Sequence, residues 1–163
     1  MELTIEQRLQ RTEALEAIRA VIYSYAAAGD RGNDARVVRT LFAENASYEA
    51  VGMGKFIGRD NIVSGLSEIS RTQVLWSFHV PGGPLIKLHD DARSARAFWW
   101  AWIPVNLVAE GKPSPHLGAG HYNADLALEQ DAWKFSRVKF ETKLLLPHTG
   151  PWTQIEGDFE WLV

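Results

Sequence analysis

The apolar residues of this chain change their period once, near Ser70, which sets an amino-terminal helical layer against a carboxy-terminal sheet. Before that point they recur every three or four residues, as on one face of a helix. Leu15, Ile18, Ile22 and Tyr25 predict a long amphipathic helix from Ile5 to Ala28, capped by Thr4 and stopped by Gly29. Val37, Val38, Leu41 and Phe42 predict a short second helix from Asp34 to Phe42 with Asp34 as its cap. Ile62, Leu66 and Ile69 predict a third from Asn61 to Ser70, capped by Asp60. Between these helices, Ala46 to Ala50 reads as a short strand, and Gly52, Gly54 and Gly58 set Met53 and Lys55 to Ile57 in a turn and a short strand.

Beyond the third helix the period is two, as in strands whose faces differ in burial. Strands are expected over Val74 to Val80, Leu85 to His89, Ser94 to Val108, Leu117 to Glu129 and Trp133 to Leu146. The turn segments between them are Pro81 to Pro84, Asp90-Asp91, Glu110 to Pro115 and Gln130-Asp131, short enough to favour an antiparallel meander. The fold class is therefore α+β, with the helices packed on one face of a single sheet. No internal repeat or linker interrupts the 163 residues, so one domain is expected over 1–163. The tail from Thr149 to Val163 carries Trp152, Phe159, Trp161 and Leu162 and is expected to dock on the core or on a second subunit.

Several classes of function are excluded by what the chain lacks. It has no cysteine, hence no disulfide framework, thiolate metal site or cysteine nucleophile. A formal charge of −3 without a Lys/Arg run gives nucleic acid nothing to grip, and no apolar run approaches the roughly 20 residues that span a bilayer. No secretory leader is evident at the amino terminus, so a soluble cytoplasmic protein acting on a small molecule is expected. His116 and His121 differ in strand parity and no other spacing suits zinc or iron, so no metal is expected.

Two polar residues stand out by position. Asp30 follows the carboxyl end of the first helix, where the helix dipole disfavours an anion. His79 lies among Trp76, Phe78 and Val80 just before a turn, where an imidazole needs a hydrogen-bond partner. From the residues alone, the commoner reading of Asp30 is a cap of the second helix or a solvated turn, and that of His79 is a core histidine satisfied by a backbone carbonyl. His121 and Asn123 share one strand face, opposite Tyr122, Ala124, Leu126 and Leu128; that polar face is either pocket or solvent. Phe98, Trp100 and Trp102 share a face that lines a pocket or forms a subunit interface, consistent with a homodimer or homotrimer.

The element order and several local motifs resemble one family over roughly residues 10 to 146. These are Ile22-Tyr23-Ser24-Tyr25 leading to Gly29-Asp30, Leu41-Phe42-Ala43-Glu44-Asn45-Ala46, and Phe56-Ile57-Gly58-Arg59-Asp60-Asn61-Ile62. His79, Gly120-His121-Tyr122 and Asp131-Ala132-Trp133-Lys134-Phe135 complete the set. Together they are similar to the nuclear transport factor two-like superfamily, and within it to the SnoaL-like branch that contains scytalone dehydratase, lindane dehydrochlorinase and the bile-acid dehydratase. The resemblance implies a cone-shaped α+β barrel with about three helices on the concave face of a curved sheet around an apolar pocket. It also implies a cofactor-independent lyase or isomerase in which an Asp and a His, here Asp30 and His79, abstract a proton from a hydrophobic cyclic substrate. Tyr25 and His121 inherit roles as acid or hydrogen-bond donor. Phe56, Trp76, Trp100, Trp102, Asn123 and Arg137 are the substrate-binding candidates, Arg137 sharing with Lys139 and Lys143 the parity of a cation that relatives place on the last strand. The same family also contains noncatalytic ligand-binding or subunit-assembly modules and polyketide-type cyclases.

Overall fold

Helix α1 (Ile5–Asp30) starts where Thr4 and Gln7 cap each other: the Thr4 hydroxyl accepts from the Gln7 N–H, and the Gln7 side chain accepts from the Thr4 N–H. The structure, a computed structural model, describes residues 3–149. Helix α1 does not stop at Gly29 but runs through it, so that Asp30 is its last residue. Helix α2 (Ala35–Leu41) is capped by Asp34, which accepts from the Arg36 N–H. Phe42, expected at the end of that helix, instead begins strand β1 (Phe42–Ala50) and is fully buried. Helix α3 (Arg59–Thr72) starts at Gly58, whose φ of 85° belongs to the left-handed region, and not at Asp60. Asp60 lies in the first turn and pairs with Arg39 at 2.6 Å.

The remaining strands are β2 (Gly54–Ile57), β3 (Val74–Ser77), β4 (Val80–Pro81), β5 (Leu85–Leu88), β6 (Ser94–Ala109), β7 (Lys112–Glu129) and β8 (Ala132–Pro147). They form one mixed sheet in the order β2-β1-β8-β7-β6-β3, with β4 and β5 also paired to β6. The expected meander holds for β6, β7 and β8, but β1 joins β8 in parallel. The hairpin between β6 and β7 is tighter than expected. Glu110 and Gly111 both have positive φ and turn the chain in two residues, so Pro113 and Pro115 fall inside β7. Gln130 and Asp131 make the same kind of turn into β8.

The expected strand from Val74 to Val80 is broken between β3 and β4 at Phe78-His79. Opposite the break is Pro104 of β6, which accepts from the Phe78 N–H but has no N–H to give back, so the ladder lapses there.

Sheet and helices meet on one face. Along β6 the buried residues are Ala95, Ala97, Trp99, Ala101, Ile103 and Val105, and along β7 they include Tyr122, Ala124 and Leu126. Ile18 and Ile22 of α1, Val38 of α2, and Phe135 and Val138 of β8 close that core. Register shifts at Ala119/Gly120 and Asp125/Leu126 add to the curl of the sheet, and the result is a cone-shaped half-barrel with three helices in its concavity. No helix among the described residues is long and apolar enough to cross a membrane. The apolar tail expected to dock lies, from Gly150 on, outside the described residues.

Candidate active site

The end of α1 and the break between β3 and β4 face each other, and each supplies one half of a polar pair. His79, released from the sheet ladder, gives both its donors to one carboxylate oxygen. Its backbone N–H lies 2.8 Å from Asp30 Oδ1, and its ring Nδ1 lies 2.6 Å from the same atom. These two donors compensate the anion that the helix terminus disfavours. An ionised carboxylate only accepts, so Nδ1 carries the hydrogen and the lone pair of the neutral ring sits on Nε2. Both side chains are mostly buried, at 17% and 24% exposure for His79 and Asp30.

Gly29 has a different job from the helix stop expected of it. A Cβ built there would lie 3.0 Å from Cε1 and 3.2 Å from Nδ1 of His79, so the imidazole packs against bare backbone. Alanine suits a helix by about 1 kcal/mol over glycine, yet here it would press on the ring. Gly29→Ala is therefore expected to keep or raise the thermal midpoint while lowering turnover by about 10-fold or more, because small displacements of a reacting group are costly. Paired melting and activity measurements check this, and a parallel fall of both would contradict it.

His79 opens onto a cavity of about 450 Å³, within the usual range of small-molecule sites. Its apolar wall comes from Leu66 and Ile69 of α3, Ile103, Val105 and Leu107 of β6, and Phe140 of β8. Its polar residues include Tyr25, Tyr48 and Tyr122, with Asn33 near the end of α1. Asn33 is fixed by donating its amide to the Leu66 carbonyl at 3.2 Å and to Ser70 Oγ at 2.6 Å. Among the described residues no Lys, Arg, Asp or Glu lines the cavity. Nor are three or more His, Cys, Asp or Glu side chains grouped to hold a metal ion.

The three phenols form one cluster. Tyr25 donates to the Tyr48 oxygen at 3.2 Å, and its ring meets those of Tyr48 and Tyr122 at 6.5 and 6.0 Å. Burial pushes all three above the ordinary phenol value of 10.0; Tyr48 and then Asp30 add to the effect on Tyr122. They stay neutral and act as donors near pH 7.

The description of one family, the SnoaL-like domain, matches residues 10–139. The chain belongs to the SnoaL-like domain family. No curated protein matches it in sequence. Solved structures share its fold at low identity. A hexachlorocyclohexane dehydrochlorinase (LinA, type 2) is 17% identical, with a TM-score of 0.81 over 92% of this chain and 99% of that one. A candidate scytalone dehydratase from Novosphingobium aromaticivorans is 18% identical, with a TM-score of 0.73 over 87% and 92%. An NTF2-like protein with a cystatin-like fold from the same organism is 20% identical, with a TM-score of 0.65 over 83% and 86%. At these identities the likeness is one of fold.

Of the residues singled out in the sequence, this SnoaL-like domain brings Tyr25, Asp30 and His79 together. The other seven lie elsewhere. His121 and Asn123 pair with Trp100 and Phe98 on the convex face of the sheet, because Tyr122 between them takes the concave one. His121 packs between Phe98 and Trp100, with Nε2 3.8 Å from Glu141. Trp100 and Trp102 share that convex face and are 55% and 52% exposed. Trp76, in register with Asn106, is on the convex side too. Phe56 stacks behind Tyr48 at 6.2 Å, against the bare Gly65 of α3, and does not line the cavity. Arg137 reaches Asp125 at 2.7 Å outside the cavity.

The last-strand cation implied by the resemblance is thus missing from the cavity, where β8 presents Phe140 and Thr142 instead. Lys139 and Lys143 both hold Glu141 at 2.9 Å and lower its carboxyl to about 2. Tyr48 and Tyr122 were not among the site residues read from the sequence. Their strand parity, with Ala46 and Ala50 beside Tyr48 and Gly120 and Ala124 beside Tyr122, was the available signal.

Proposed function

We propose that this SnoaL-like domain is a cofactor-independent lyase or isomerase that removes a proton from carbon in a neutral hydrophobic cyclic molecule. The observation that carries this is the 2.6 Å contact between Asp30 and His79 at the wall of an uncharged cavity. His79 Nε2 takes the proton, Asp30 orients the ring and stabilises the imidazolium, and Tyr25 acts through the Tyr48 hydroxyl it donates to, which holds the substrate by hydrogen bonding. Elimination of water or halide is the reaction form favoured, supported by membership of the family and by fold neighbours named as a dehydrochlorinase and a candidate scytalone dehydratase. The test is a panel of cyclic β-hydroxy ketones and alicyclic halides, followed by absorbance of the conjugated product or by halide release. Turnover by the wild type that disappears in His79→Ala supports the reading. Binding without turnover across the panel contradicts it and leaves a noncatalytic ligand-binding module.

We also propose that copies of the chain meet on the convex face of the sheet. Trp100, Trp102, Val80, Leu85 and Phe98 share that face and leave apolar surface on the order of 400 Å², a size at which the largest patch of a protein is often functional. Both signs of charge rim it, Arg96 and Arg137 around Asp125 and Lys139 and Lys143 around Glu141, so a symmetry axis can set cation against carboxylate. Sedimentation of the wild type as a dimer or trimer, and of Trp102→Glu as a monomer, is expected. A monomeric wild type would contradict it.

A further inference from the structure

We propose that the segment 151–163 of each chain lies across the convex face of a second copy, so that the subunits are clasped by exchanged tails. This rests on the reading of the convex face as the meeting surface and names what completes it.

The contact needs more surface than the sheet alone provides. The apolar patch there is on the order of 400 Å², against the roughly 800 Å² that each partner of a stable pair buries. The segment 151–163 carries Trp152, Ile155, Phe159, Trp161, Leu162 and Val163. Aromatic side chains bury about 150–250 Å² each, so Trp152, Phe159 and Trp161 make good the difference. An apolar track also joins the root of this segment to the patch. At Thr149, where the described residues end, the chain is still seated on β7, since the His148 N–H donates to the Pro115 carbonyl at 2.9 Å. Leu146, 49% exposed, is in register with Leu117, and Leu117 with Pro104. Pro104 stands two residues from Trp102 on the same face of β6. From Pro104 to Phe98 the track is about 20 Å long, and a segment of this length reaches about 40 Å when extended.

Charge then selects a second copy as the surface that receives the segment. Four cations, Arg96, Arg137, Lys139 and Lys143, border the patch and share two carboxylates, Asp125 and Glu141. The segment brings Glu156, Asp158 and Glu160 and no Lys or Arg. In an extended chain these three acids share one side, and Phe159, Trp161 and Val163 share the other. A segment with two unlike sides is fully used only between two copies, its aromatics on the partner's track and its acids toward the cations of its own rim. Folded back on its own sheet, it would turn the acids to solvent and cover the face that the second copy needs.

The chain has no cysteine, so introduced thiols report the contact without background. Asn123→Cys marks the convex face and Glu160→Cys marks the segment, each in its own full-length chain. The two are mixed and treated with a short bismaleimide, and the linked peptides are identified by mass spectrometry. A face-to-segment product in this mixture joins two chains by construction, and that product is expected. The double variant Asn123→Cys/Glu160→Cys is expected to link one chain to another. Closure of the double variant within one chain would overturn the exchange and place the segment on its own sheet. Phe159→Asp and Trp161→Asp, in the full chain, are expected to raise the dissociation constant about 10-fold or more in sedimentation, with the far-UV spectrum unchanged. A wild type that assembles, with no mixed product and no loss in either Asp variant, would reject the exchange and leave the convex interface in place. A monomeric wild type would reject the interface and the exchange together.

Discussion

His79→Ala is expected to lower turnover by about 10²–10⁴-fold with the far-UV spectrum unchanged, the range a positioned general base contributes. The side chain lies at the edge of the cavity, outside the aromatic core, so its removal opens the lining and leaves the fold intact. Asp30→Asn is expected to cost about 10²-fold or more. The amide keeps an acceptor for the two His79 donors but not the charge that stabilises the imidazolium. Asn is the cleaner choice than Ala, which would also strand the His79 backbone N–H at a cost of about 1–3 kcal/mol. Steady-state rates on whichever panel compound is turned over check both variants. Equal rates in wild type and His79→Ala would contradict the assignment.

Phe135→Ala is expected to be among the most damaging substitutions for stability, at about 3–5 kcal/mol. Phe135 is wholly buried, and its ring meets Phe42 at 5.4 Å, Tyr25 at 5.7 Å and Trp99 at 6.3 Å. A domain typically has only about 5–15 kcal/mol in total, so a large share of the stability would go. Tyr25 would lose the ring it stands against, and the phenol cluster would loosen with it. Urea titration of the variant checks the expectation: the midpoint should fall with the slope unchanged. A midpoint within error of the wild type would mean that the aromatic core is not centred on β8.

The three helices were legible because the periodicity of Ile18, Ile22 and Tyr25, and of Ile62, Leu66 and Ile69, is a property of the local chain. The break at Phe78-His79 was not, since it depends on Pro104 lying opposite, and that pairing spans residues far apart in sequence. Gly29 looked like a helix stop because a glycine near a helix end usually is one. Its neighbour in space, His79, is 50 residues on in sequence and gives it another reason.

The faces of β6 and β7 were sorted correctly by parity, but parity does not say which face is concave. The large aromatics Phe98, Trp100 and Trp102 left a pocket and a subunit interface both open. The helices cover the side of Ala95, Ala97 and Ala101, where small residues leave room for them. The same sidedness carries His121, Asn123 and Arg137 outward and Tyr122 inward. Asp30 and His79 escaped it because neither sits on a long strand.

The central claim is that His79 takes a proton from carbon inside the cavity, and hydrogen exchange tests it without knowledge of the leaving group. Cyclic ketones from the panel would be incubated in D₂O and deuterium at the α-carbon followed by NMR. Exchange faster than the buffer rate with the wild type, and at the buffer rate with His79→Ala, is the expected result. Exchange that continues undiminished in His79→Ala would contradict it.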